Sequence, residues 1–323
     1  MFHDTDRSEL SPRNQALLRL GQVLTERGYR FTTVTPLTHA RINRRPENAM
    51  AEDLAGVFGW SRPFVRATLD EELFGLMEAA DVLQAGVDGF RSKVRWSSLG
   101  DELYVHSSHP TEEADAVFFG PDTYRFVQAI DAWLDAHADR EIRRVADIGC
   151  GSGAAAIHVA RRCPAACVQA LDINLRALEF TRINACLAGT TAVRAIASDL
   201  LRQAEGSFDL IVANPPYLLD PAQRTYRHGG GELGSGLSLA ILDDSLGRLA
   251  PGGTLLLYTG AAMVAGRDPL RERVVDFLGG SDYRWHYREL DPDVFGEELE
   301  EAAYAGAERI AAVLLTVQRP CAG

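Results

Sequence analysis

The chain has 323 residues, 46% of them hydrophobic and 24% charged, with a formal net charge of −12. This suits a globular protein of about two domains, and no apolar run reaches the ~18 residues of a membrane span. The negative charge excludes a protein held on nucleic acid by bulk electrostatics, and five irregularly spaced cysteines argue against a disulfide framework and for a reducing compartment.

The polar, mixed-charge start MFHDTDRSELSPRNQ lacks the basic head and apolar centre of a secretory signal, so a cytoplasmic protein is expected. Residues 1–115 are expected to form a smaller, mainly helical N-terminal domain with one β-hairpin, serving substrate recognition. In SPRNQALLRLGQVLTERGY the apolar residues Ala16, Leu17, Leu20, Val23 and Leu24 share one helical face behind a Ser11-Pro12 cap. HARINRR (39–45), with Arg62 and Arg66, reads first as a solvated helix face and otherwise as a local basic patch. AMAEDLAGVFGW (49–60) and DEELFGLMEAADVLQAGV (70–87) predict further helices, and the alternation on both sides of SLGDE predicts a hairpin over 90–107.

From about residue 143 the rhythm changes. Short apolar runs alternate with helical stretches: RRVADIG, AAAIHVARRC, CVQALDI, LRALEFTRINACLA, TAVRAIASD, FDLIVANPP, LSLAILDDSLGRLA and GGTLLLYTG. This predicts an α/β fold, a parallel sheet covered on both faces. YRWHYREL and RIAAVLLTVQR, separated by an acidic loop, predict an antiparallel hairpin at the sheet edge. Cys163 and Cys167 form a C-x-x-x-C pair without a second Cys/His pair, so no metal site is expected.

The ends of the strands carry the chemistry. Gly149, Gly151 and Gly153 follow the first strand of the repeat and open a helix, allowing a tight turn and close approach of a ligand. Their G-x-G-x-G spacing differs from the G-x-G-x-x-G of dinucleotide sites. Asp147 precedes them, Asp172 ends the next strand and Asp199 the third. A carboxylate at the second position can accept both hydroxyls of a ribose, and one at the third can accept from an adenine amino group. Each acid alone is as readily a helix cap. In this order they describe a site for an adenosine carrying an amino-acid carboxylate, with Ile173 and Leu200 beside it.

The fourth strand ends in ANPPY (213–217). The lone pair of an amide or aniline-like nitrogen is delocalised, so methyl transfer requires that nitrogen to be oriented. The Asn214 side-chain oxygen and the Pro215 carbonyl are suited to hold its two hydrogens. Pro216 restricts Pro215 to extended conformations, and Tyr217 can stack on a planar group. Each neutral hydrogen bond contributes only about 1 kcal/mol, whereas near-attack positioning is worth roughly 7–11 kcal/mol. Orientation therefore carries the catalysis.

DIGCGSG, ALDIN, ASDLL and ANPPYLLD resemble the ordered motifs of class I S-adenosylmethionine (SAM)-dependent methyltransferases, over roughly residues 118–318. The resemblance is greatest to the HemK-type protein-glutamine N5-methyltransferases. It implies a Rossmann-like, seven-stranded catalytic domain over 116–323, SAM as cofactor and S-adenosyl-L-homocysteine as product. Asn214, Pro215, Pro216 and Tyr217 are then catalytic. Asp147, Gly149, Gly151, Gly153, Asp172, Ile173, Asp199, Leu200 and Asn214 bind the cofactor. In VFFGPDTYRF, where these enzymes carry a P-R-P-x-T-E segment, Phe119, Asp122 and Thr123 are candidates to cover cofactor or substrate. HGGGELGSGLSLAIL resembles the family's glycine-rich segment, a mobile lid or an ordinary surface loop. His228 at its start is a substrate-contact candidate and equally an exposed loop histidine. Tyr258 and Thr259 stand where the family usually has an acidic residue, and the Glu-Pro usually found after N-P-P-Y is missing.

Three acceptors are compatible with these motifs: a glutamine amide in a protein, an exocyclic amine of a base (adenine N6 or guanine N2) extruded from its stack, and a small metabolite. The expected partner is thus a methyl-acceptor protein or RNA, with no membrane. A non-catalytic SAM-binding module and a dinucleotide-dependent dehydrogenase are the competing classes. The intact glycine loop and N-P-P-Y argue against the first, and the glycine spacing against the second. Neither composition nor motif specifies an oligomeric state.

Overall fold

The computed structural model describes residues 10–111, 113–220, 224 and 226–321. Among the described residues the first helix, α1 (Pro12–Glu26), starts where Ser11 accepts from the Asn14 amide, and it buries Leu17, Leu20, Val23 and Leu24. Helices α2 (Pro36–Asn43), α3 (Leu54–Phe58) and α4 (Glu71–Ala79) follow. The helix expected over 70–87 stops at Ala79 because Asp81 adopts a left-handed backbone, φ 52°. The residues beyond form a second hairpin, β1 (Leu83–Gly86) with β2 (Gly89–Ser92). It is followed by the expected hairpin, β3 (Val94–Leu99) with β4 (Glu102–Ser107). Leu20, Leu24, Phe58, Phe64, Leu73 and Trp96 share a core that reaches Ala177, Phe180 and Ile183 of a later helix, Leu175–Leu187.

Helix α5 (Pro121–Ala136) leads into the repeat: β5 (Arg144–Ile148), α6 (Ala154–Arg162), β6 (Cys167–Asp172), α7 (Leu175–Leu187), β7 (Val193–Ala197), β8 (Phe208–Ala213), α8 (Gly236–Leu246) and β9 (Leu249–Val264). Helix α9 (Pro269–Leu278), β10 (Arg284–Asp291) and β11 (Ala307–Gln318) complete the seven-stranded sheet. Its order is β10-β11-β9-β8-β5-β6-β7. The strands from β9 to β7 run parallel, while β11 is antiparallel to both its neighbours. The expected hairpin therefore extends the sheet by two strands, with β10 outermost.

Alternation of side chains along each strand splits the interior in two. Val145 packs with Ile130, Val159 and Leu178 from α5, α6 and α7. Its neighbour Ala146 packs with Ile241, Leu242 and Val274 from α8 and α9. This is the Rossmann-like α/β arrangement. The chain moves outward from β5 through β6 to β7, then returns to the other side of β5 as β8. The carboxyl ends of β5 and β8 thus diverge, and such switch points are where open α/β sheets hold ligands.

Candidate active site

A cavity of about 230 Å³ opens at this switch point. Its walls include Asp147, Gly149, Gly151, Asp172, Ile173, Asp199, Leu200, Asn214, Pro215, Pro216 and Tyr217, together with Asp122 and Thr123. Phe119, Gly153 and His228 do not line it.

The loop after β5 turns through three glycines, all at positive φ. At Gly149 a Cβ would meet nothing within 4 Å, so this face opens to the cavity. Gly153 works from behind: a Cβ there would lie 2.8 Å from Thr181 Cγ2, so it lets α6 pack on α7. The loop is held by the Leu171 carbonyl, which accepts from the Gly149 and Cys150 amides at 2.8 and 3.0 Å.

The acids differ in burial. Asp147 is buried and its Oδ2 accepts from the Ala156 amide at 3.0 Å, tying it to the first turn of α6. Burial pushes its carboxyl up to about 7, opposed by that bond and reinforced by Asp172. Asp172 accepts from the amides of Gly151 and Asn174, both at 2.9 Å, which fixes its carboxylate at the mouth. Burial raises its pKa against those two bonds. Asp199 is exposed, pairs with Arg202 at 2.6 Å, and precedes Leu200 at φ 53°. Each oxygen of Asp172 keeps a lone pair beyond the one its amide uses, as two ribose hydroxyls require. The residues present therefore fit SAM, whose sulfonium and ammonium charges would meet acids on these walls.

Asn214 ends β8. Neither its side chain nor the Pro215 carbonyl makes a hydrogen bond among the described residues. Tyr217, by contrast, is fully engaged. Its ring lies over Gly260 of β9, where a Cβ would come within 2.2 Å of the ring, and Phe295 meets it edge-on at 5.9 Å. Its hydroxyl donates to Asp122 Oδ2 at 2.6 Å. The expected stacking of Tyr217 on the acceptor is thus limited by its own seat.

Asp122, near the start of α5, is the hub of that seat. Tyr258 of β9 donates to its Oδ1 at 2.7 Å, and Arg125 pairs with the same oxygen at 3.2 Å and with Asp291 at 2.7 Å. Burial pushes the Asp122 carboxyl up, while the two hydroxyls and Arg125 pull it down. The tyrosine that departs from the family pattern on this strand therefore meets a carboxylate delivered from α5.

The glycine-rich segment is a support. Gly229 and Gly234 are buried against the motif backbone: a Cβ on Gly229 would lie 2.7 Å from the Pro216 carbonyl, and one on Gly234 would lie 2.1 Å from that of Tyr217. Such contacts seat the start of this segment directly on the motif backbone. His228 does not line the cavity, and its Nδ1 accepts from the Asp220 amide at 3.2 Å. Phe119 turns away too, stacking on His106 at 5.1 Å. Its neighbour Phe118 lines the cavity instead.

Several wall residues escaped the sequence reading. Tyr226 donates to the Thr111 carbonyl at 2.6 Å, and Arg227 pairs with the buried Glu298. Phe295, at φ 52°, brings the acidic segment to the wall. Their only signal was proximity in sequence to the glycine-rich and acidic stretches. Among the described residues no His/Cys/Asp/Glu group could hold a metal ion, and no helix is long and apolar enough to cross a membrane.

The methyltransferase small domain family matches residues 128–264. The chain is 35% identical over 208 residues to a release factor glutamine methyltransferase of Deinococcus radiodurans, covering 58% of this chain and 74% of that protein. To a protein of the same name from Bradyrhizobium diazoefficiens it is 33% identical, covering 46% of this chain and 59% of the relative. A 4-amino-L-phenylalanine/4-methylamino-L-phenylalanine methyltransferase of Streptomyces pristinaespiralis is 32% identical, with 49% of this chain and 58% of the relative covered. The chain thus spans under two thirds of the last two relatives.

Proposed function

Because the chain belongs to the family of release factor glutamine methyltransferases, the HemK-type SAM-dependent enzymes, we propose that it methylates a glutamine side-chain amide in a protein. SAM supplies the electrophilic methyl group. The chain's own residues bind and orient. Asp172 holds ribose hydroxyls, Asp199 the adenine edge, and Asp147 and the glycine loop the amino-acid end. The Asn214 side-chain oxygen and the Pro215 carbonyl each accept one hydrogen of the acceptor NH2, so that its nitrogen faces the methyl carbon. Asp122, through Tyr217 and Tyr258, is a positioning residue for the motif. The region 1–115 serves acceptor recognition.

The observation that carries this reading is the pair of unengaged acceptors, Asn214 and the Pro215 carbonyl, on a wall shared with the acids. A protein acceptor is favoured over RNA because the acidic segment 289–308 reaches the wall through Phe295 and would repel phosphates. The exposed Arg41, Arg44 and Arg45 are what an RNA acceptor would use instead. The deciding experiment incubates the protein with methyl-labelled SAM and whole-cell extract, then treats samples with protease or ribonuclease. Label released by protease and resistant to nuclease is expected. Label released by nuclease would replace the glutamine acceptor with a base.

A further inference from the structure

Residues 113–118, between β4 and α5, form a strap beside the cofactor site. Ala116, Val117 and Phe118 line the larger cavity, and Val117 and Phe118 also line a second one of about 20 Å³, whose walls include Arg95 of β3 and His39 of α2. Val117 packs on the glycine loop: a Cβ built on Gly151 would lie 4.0 Å from its Cγ1. One end of the strap is fixed by backbone bonds. The Val117 amide donates to Ser107 Oγ at 2.9 Å, and the Val117 carbonyl accepts from the Ser107 amide at 3.0 Å, which joins the strap to β4 of the N-terminal region.

The other end is held by charge. The Ala116 amide donates to the Glu113 carbonyl at 3.1 Å, and this turn brings Glu113 and Asp115 to one arginine. Arg176, in the first turn of α7, donates through Nη1 to both carboxylates, at 3.2 Å to Asp115. Its side chain is only 15% exposed, and its guanidinium lies 5.8 Å from the ring of Phe180, a residue of the N-terminal core. A cation so covered is screened less than one on the open surface. Asn174 adds a neutral bond, its Nδ2 donating to the Asp115 carbonyl at 2.8 Å. The amide of the same Asn174 donates to Asp172 at the cavity mouth. Strap and mouth carboxylate are thus held by one residue.

We propose that Arg176 is a positioning residue for the cofactor: by pairing with Glu113 and Asp115 it latches the strap against the glycine loop and slows the release of bound SAM. Charge alone predicts the reverse. Arg176 is a cation near a site for a cationic ligand, so without a latch its removal would slow SAM release. The proposal rests on SAM as the cofactor and not on the acceptor, so its failure leaves the glutamine reading untouched.

The test measures release of SAM and of S-adenosyl-L-homocysteine from the full chain by stopped-flow displacement. Arg176→Met is expected to speed SAM release about fivefold, the scale of one well-placed ion pair. Glu113→Gln/Asp115→Asn breaks the latch from the other side and should do the same, and the triple variant should be no faster than either. Unchanged or slower SAM release from Arg176→Met overturns the proposal. So does a triple variant in which the separate effects simply add. S-adenosyl-L-homocysteine lacks the sulfonium charge and reports the latch by itself. Should Arg176→Met fail to fold, release of S-adenosyl-L-homocysteine from the carboxylate variant decides: faster release supports the latch, and an unchanged rate overturns it.

Discussion

The two cavities are opposites built side by side. The larger buries Asp147 and fixes Asp172 with no basic residue against either, its one wall arginine, Arg227, being paired with Glu298. The smaller buries Arg95 and His39 with no acid among the described residues that line it. In the larger, the burial cost is offset by the sulfonium and ammonium of SAM. The groups proposed to orient the acceptor nitrogen, Asn214 and the Pro215 carbonyl, also line the larger cavity and are neutral.

The largest expected effect separates that neutral step from the charged ones. Asn214→Ala should lower kcat by about a thousandfold, the scale for removing one preorganised polar group, while SAM affinity measured by calorimetry stays within about twofold. Transfer at near wild-type rate would sink the assignment of Asn214. Next comes the acidic cavity. Burial holds Asp147 protonated below about pH 7, and a cationic ligand prefers its ionised form. SAM affinity should therefore rise with pH up to about 7 and level off, falling by up to about tenfold per unit below it. Asp147→Asn should flatten that profile, and a parallel profile in the variant would contradict it.

A smaller effect sits at the wall of the larger cavity. Tyr258→Phe leaves one oxygen of buried Asp122 with Arg125 alone, at a cost of about 1–3 kcal/mol, read as a lowered Tm. Adding Asp122→Asn should recover part of the loss, and a strictly additive double variant would show that the two do not act as a unit. The smallest effect belongs to His228→Ala. It removes an acceptor worth about 1 kcal/mol to the Asp220 amide and should change kcat by less than threefold. A larger fall would bring His228 into the site despite its position.

The catalytic half was legible because a repeating strand–helix pattern fixes where strand ends lie, and strand ends carried the motifs. The order Asp147, Asp172, Asp199, Asn214 is linear in sequence and converges in space only because β8 returns beside β5. Direction was harder to read. Phe118 and Phe119 are equal in composition, and a single step along an extended segment sends one to the cavity and the other to His106. Tyr217 looked free because nothing in its motif announces Gly260 or Asp122, which lie far off in the chain. The first half gave less. The hairpin at 83–92 hid inside a helical pattern ended only by the backbone of Asp81. Likewise, the histidine of HARINRR is buried while Arg41, Arg44 and Arg45 face outward, a split that charge counting does not reveal.

Tyr258 and Gly260 are two positions apart on β9, so they share a face. One gives the hydroxyl that meets Asp122, the other the bare floor beneath the Tyr217 ring. A slip of β9 by a single residue would turn Thr259 to that face and remove both at once. Sixteen residues of β9, zipped to β11 from Thr254 to Val264, hold the alignment. Catalytic competence is thereby made conditional on strand registration: a chain that closes its sheet in the wrong frame can be compact and still have no working motif.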